Sequence, residues 1–252
     1  MVMSRYGWMR LGVVVAFFGS LEGLSRFGYI KRTTMIPPTE MAQSLGVILA
    51  GGTMNDDIAA TLLTVAAAFA AAVVLGFVAG VALHAVKPLR RMLDPLFATY
   101  YAVPHFVFYP VFIVLFGMNR VPLVMLGFLF AIVAMIINTL NGLDRIPRVL
   151  LKVARTNRMG PIATAWHVVL PSTAPYLFTG VKLAVAYSFI GVIAGEFILS
   201  GSGIGHQLAF AYDNFDSRTM YGLLLFILTL VTIINMGLWS YEQRLQRRRS
   251  RG

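Results

Sequence analysis

Glu196 stands inside the apolar run GVIAGEFILS, residues 191–200, and Lys182 inside VKLAVAYSFI just before it. An ionisable side chain at such depth is costly in lipid and ordinarily faces a cavity or a partner. Glu196 could therefore line a path through the membrane or a seam between subunits. Being near the end of its run, it could instead reach water or cap the loop that follows. Lys182 could draw an anion inward, or its stem could snorkel back to the surface. Glu22 stands nearer the end of a third apolar run. A second polar set is Tyr100, Tyr101, Pro104, His105 and Tyr109. A proline break with polar tips at mid-depth is where transporters tend to hold substrate, and it can equally be an aromatic packing face. Asn138, Thr139 and Asn141 could line a gate or bond between helices.

Other chemistry is not written in the chain. Cysteine is absent, and His84, His105, His167 and His206 have no ligand spacing, which argues against a metal site. No GxxxxGK[ST] stretch occurs, so the chain is not expected to hydrolyse ATP. The GSGIG at 201–205 follows an apolar helical run, not a strand, and reads as a turn. No nucleophile–base pair stands out.

The elements that must position these residues are membrane helices. The 252 residues are 58% apolar and 12% charged, about half the charge of a soluble domain. The pattern predicts an all-α polytopic protein, one domain over 1–252 with its core at 58–240. Six spans are expected: Trp8–Tyr29, Ile58–Val86, Leu96–Met118, Val121–Asn141, Ala174–Ser200 and Met220–Tyr241. The first lacks a small-residue cleavage pattern and reads as a retained helix. Pro104 and Pro110 interrupt the third. GFVAG, residues 76–80, is a GxxxG that favours close helix packing.

Of the 21 basic residues, 15 fall on one side: Arg5 and Arg10, then Lys87, Arg90 and Arg91, then the 142–170 loop, then a tail from Arg244 to Arg251. That bias places both termini in the cytoplasm and accounts for the net charge of +11 without any nucleic acid. The opposite face carries segments 31–56 and 200–218. In the first, Thr39 reads as an N-cap, and Met41, Leu45, Ile48 and Leu49 form one stripe of an interfacial helix. Asp56 and Asp57 suit the helix N-terminus that follows.

The 142–170 loop is the unusual segment. In DRIPRVLLKVART, Pro147 suits the start of a helix. Arg148, Lys152 and Arg155 then form one basic stripe, beside an apolar face of Val149, Leu150 and Val153 with Ala154. Met159–Pro161 stops that helix and a second apolar one is expected to end at Pro171. Such a rod must bury its stripe in a groove on a partner or on the headgroup surface.

Taken in order, IPPTEMAQSLGVILAGG, LRRMLDPLFATYYAVPHFVFYPVFIVLFG, INTLNGL, VVLPSTAPYLFTGVKLA and GVIAGEFILSGSGIGHQL resemble the permease subunits of type I binding-protein-dependent ABC importers. The likeness is to the branch for nitrate, sulfonates and taurine. It implies that the loop is a coupling helix docking on two cytoplasmic ATPase subunits, which would hold ATP and Mg; this chain would carry no cofactor. It also implies a second permease, identical or homologous, an external solute-binding protein, and residence in the inner membrane. The family's loop reads Glu-Ala-Ala, three residues, Gly, nine residues, an aliphatic, one residue, Leu-Pro. Counted back from Leu170 and Pro171, Lys152, Val153 and Ala154 stand on Glu-Ala-Ala and Arg158 on the glycine. Charge is reversed at the first position, and Gly160 is the nearest glycine.

Overall fold

The computed structural model describes residues 5–32 and 34–249, without the side chains of 5–8, 10–11 and 244–249. Arg251 and the side chains of Arg5, Arg10, Arg244, Arg247, Arg248 and Arg249 thus lie outside the described residues. The described residues contain no strand. The elements are α1 (Arg5–Arg26), α2 (Pro38–Gly51), α3 (Asn55–Ala85), α4 (Lys87–Thr99), α5 (Tyr109–Phe116), α6 (Val121–Asp144), α7 (Arg148–Thr156), α8 (Pro161–Thr164), α9 (Leu170–Leu199), α10 (Ile204–Asp213) and α11 (Ser217–Arg249).

Among the described residues four helices are long and apolar enough to cross a membrane: α3, α6, the run 161–199, and α11 as far as residue 243. A fifth span exists if the bent pair 87–102 and 105–116 counts as one. The second, fourth, fifth and sixth expected spans are these four helices and the third is the bent pair; the first is α1, part of whose side chains lie outside the described residues. The first expected span is helical only to Arg26, and Glu22 and Arg26 put an ion pair into its last turns. The third expected span is two pieces bent by 92°. Val103 is extended because the ring of Pro104 disfavours a helical residue before it.

The fifth expected span is longer than predicted. No helix ends at Pro171; α8, a π turn over Ala165–Val169 and α9 form one 39-residue rod, Pro161–Leu199. Proline cannot donate to the carbonyl four residues back and its ring crowds that oxygen. The π turn widens the helix just before Pro171, with Leu170 N–H donating to the Ala165 carbonyl.

The core is α6 packed between α3 and α9. Glycine sets both seams. A Cβ on Gly80 would lie 2.6 Å from the Thr139 Cβ, and one on Gly191 would lie 2.6 Å from the Gly127 Cα. Gly76, the other glycine of GxxxG, similarly meets Met135. At one end of the bundle α2 and α10 lie over the start of α11, around Ile48, Ile204, Leu208 and Leu223. Segment α7 projects from the other end. It touches the remainder mainly through the π turn.

Candidate functional site

The α7 rod buries one face and leaves two open. Ala154 is 1% exposed and Leu151 is half-buried, so residues 151 and 154 form the inward contact. The apolar face read from the sequence points away: Val149 is 67%, Leu150 40% and Val153 51% exposed. Arg148, Lys152, Arg155 and Arg158 are also exposed. On the adjoining rod Ile162 and Trp166 are exposed as well.

The end of α7 explains what Arg158 replaces. Arg158 N–H donates to the Arg155 carbonyl and Met159 N–H to the Ala154 carbonyl, both at 3.0 Å. With Asn157 as the cap, these are the paired bonds of a Schellman turn, whose residue after the cap must be left-handed. Arg158 has φ of +50°. The position counted onto the family's glycine is therefore the one whose backbone favours glycine. Gly160 is extended with φ of −63° and does not supply the turn.

The broken segment brings Tyr100, Tyr101, Pro104 and His105 together. His105 is buried between Tyr100 and Phe130, at ring-centroid distances of 4.3 and 5.1 Å. Tyr100 donates to the Leu129 carbonyl at 2.8 Å. Tyr101 stays exposed and stacks at 5.0 Å on Tyr187 of α9, a residue the sequence pattern did not single out. Asn138 is half-buried on α6, donating to its own helix at Ala134. Leu170 and Pro171 sit in the rod just after the π turn.

The intramembrane carboxylates do a different job. Glu196 is 2% exposed and accepts from the Thr61 hydroxyl at 2.8 Å and from Gly205 N–H at 2.9 Å. Thr61 in turn accepts Ile204 N–H at 2.8 Å. Asp57 accepts Gly203 N–H at 2.6 Å and the Gln207 amide at 2.7 Å. Three side chains from α3 and α9 thus satisfy the first backbone donors of α10, as an N-cap residue would. Glu22 does the same for α2, accepting the Thr39 amide at 3.1 Å and its hydroxyl at 2.7 Å. Thr39 is therefore not the N-cap expected of it; Pro37 holds that place and Thr39 is inside the helix. Lys182 pairs with Glu242 of α11 at 2.6 Å. At the start of α11, the Thr219 hydroxyl and, secondarily, the Thr219 N–H at 3.1 Å hydrogen-bond Asp216 and hold its carboxyl below the usual range. Among the described residues no three His, Asp or Glu side chains come together to hold a metal.

A bundle of membrane-length apolar helices with a projecting, half-unsatisfied rod defines an all-α polytopic membrane protein. The chain belongs to the family described as binding-protein-dependent transport system inner membrane components, which it matches over residues 72–251. It is similar to the bicarbonate transport system permease protein of Synechococcus elongatus, 34% identical over 156 residues, 62% of this chain and 56% of that one. The nitrate import permease protein of Leptolyngbya laminosa is 32% identical over 157 residues, again 62% of this chain and 56% of that one. The match to these two relatives spans little more than half their length. The taurine transport system permease protein of Escherichia coli is 23% identical over 249 residues, 96% of this chain and 90% of that one. The fold is shared with a chain of the MetNI methionine ABC transporter in an inward-facing conformation, with TM-score 0.62 and 19% identity, covering 76% of this chain and 95% of that one.

Proposed function

We propose that this chain is the permease subunit of an ATP-driven importer for a small solute carrying an oxyanion. Two cytoplasmic ATPase subunits, binding ATP and Mg, dock on α7. A second permease, identical or homologous, completes the path, and an external binding protein delivers solute to the end formed by α2 and α10. The α7 end and both termini are cytoplasmic, which the basic bias of loops 87–91 and 145–158 supports. The relatives are named for bicarbonate, nitrate and taurine, each a small oxyanion or sulfonate. The path runs past the 92° break, where Tyr101 and Tyr187 present stacked rings, and past Asn138. Tyr100, Pro104 and His105 shape that break from behind. Glu196 acts there as a structural cap, away from the solute.

The observation that carries this reading is the exposure of Val149, Leu150 and Val153 on a rod held out by its own folded turn. A soluble motor with a groove for that face would bury it. Replacing all three with Asp should abolish co-purification of an ATPase from detergent-solubilised membranes, and solute uptake with it. Undiminished association would remove the docking role. Wild-type chain that captures no ATPase would favour an ATP-independent carrier or a membrane scaffold.

A further inference from the structure

The cations of α7 have no internal counterions. None of Arg148, Lys152, Arg155 or Arg158 forms an ion pair among the described residues. The carboxylates at that end are already engaged. Asp144 is held by Arg90 through two bonds of 2.8 and 2.6 Å and lies 3.2 Å from His84 Nδ1. Asp94 lies 3.8 Å from Arg90, and Glu242 is taken by Lys182. From Arg145 to Pro171 the chain contains no acidic residue. The rod therefore offers an apolar stripe with a purely cationic one beside it.

Anionic lipid is one chemistry that fits such a surface, and the length of the rod weighs against it. At 1.5 Å per residue the 39-residue rod is about 58 Å long, against about 30 Å of hydrocarbon. With Leu199 at one hydrocarbon edge, the π turn lies roughly 18 Å beyond the other edge. The headgroup layer accounts for only about 5–8 Å of that. Because α7 rests on the π turn, an upright rod would hold it in water past the headgroups.

We propose that α7 docks in a protein cleft with an apolar floor and a rim of carboxylates facing Arg148, Lys152 and Arg155. This rests on the function proposed above and makes the cleft part of the ATPase subunit. An acidic rim would steer association and reject a motor whose rim is basic, because like charges brought together at the rim are repulsive. Arg158, at the left-handed corner, adds a fourth cation where the rod turns back.

The test uses full-length chain in nanodiscs of uncharged phosphatidylcholine and the ATPase that co-purifies with it. Association is followed at about 50 mM and about 500 mM salt, where the Debye length falls from roughly 14 Å to roughly 4 Å. The Lys152→Glu, Arg155→Glu double variant changes only exposed side chains. It should slow association at least tenfold at low salt, with the gap closing at high salt. Equal rates for variant and wild type at low salt would overturn the acidic rim. Loss that appears only when the nanodisc contains phosphatidylserine would assign the cations to lipid and overturn it too. The Val149, Leu150, Val153→Asp variant separates the two claims: if it still binds, docking on α7 itself fails. If it does not bind while the double variant binds normally, docking stands and only the acidic rim is lost.

Discussion

The two ends of the 161–199 rod are built on opposite plans. At Leu199 the chain turns into α10, and the backbone N–H groups of Gly203, Ile204 and Gly205 at its start find acceptors on α3 or α9. At Pro161 the chain comes from α7, whose start has no side-chain cap and whose hold on the bundle is one buried alanine and one half-buried leucine. Buried polar groups at the first end are closed by the chain's own residues; apolar and charged groups at the second are left open. A closed network costs dearly when any member is lost, whereas an open surface gains its stability from another molecule.

Breaking the closed end should give the largest effect. A Cβ on Gly205 would lie 2.5 Å from the Ile193 carbonyl oxygen and 2.6 Å from the Glu196 Cβ. Since the nearest obstacle is backbone, Gly205→Ala must push α10 off α9. We expect a loss of about 3 kcal/mol, read from reversible unfolding in mixed micelles. A cost under about 0.5 kcal/mol would mean that α10 is loosely held, and the contrast between the two ends would collapse.

Thr61→Val is gentler because it keeps the shape and removes only the hydroxyl. That hydroxyl gives one bond to Glu196 and takes one from Ile204. Its loss leaves a buried carboxylate and a buried N–H each short of a partner, for about 2 kcal/mol. Hydrogen exchange should locate the damage at the Ile204 and Gly205 amides and leave those of α7 unchanged. Faster exchange in α7 as well would show that the ends are coupled through the rod.

Much of this division was legible in the residues, and the rest was hidden for definable reasons. The apolar stripe of α7 was readable because a 3.6-residue period survives in nine residues. Its true inward face was not, since Leu151 looks no different in sequence from Leu150; only the packing on the π turn distinguishes them. The merging of the loop helix with the following span was missed because Pro171 is an ordinary stop signal, and a widened turn just before it left no mark. Capping by Glu196 was one of two open readings. Asp57 and Thr61, four residues apart on one face of α3, were the available hint that polar partners waited there. Tyr187 carried no signal, being one aromatic among many apolar neighbours. The glycine-position shift at Arg158 was visible as a mismatch, but its meaning needed the backbone angle.

That angle gives the smallest effect and the finest test of the contrast. Arg158 at the end of α7 and Phe215 at the end of α10 both sit in left-handed backbone, φ +50° and +57°, each closing a Schellman turn. Both are poorly suited to it, because a Cβ there crowds its own carbonyl. Phe215 N–H donates to Tyr212 and Asp216 N–H to Ala211, mirroring the bonds around Arg158. Glycine at either place should therefore stabilise the isolated chain by about 1 kcal/mol, with the same sign and similar size. Association with the proposed ATPase partner should then separate them. Arg158→Gly removes a cation from the open surface and should weaken docking despite the firmer turn. Phe215→Gly, at the other end of the molecule, should leave docking untouched. If both substitutions stabilise and neither alters association, Arg158 is a misfit in its turn and nothing more, and the cationic surface ends at Arg155.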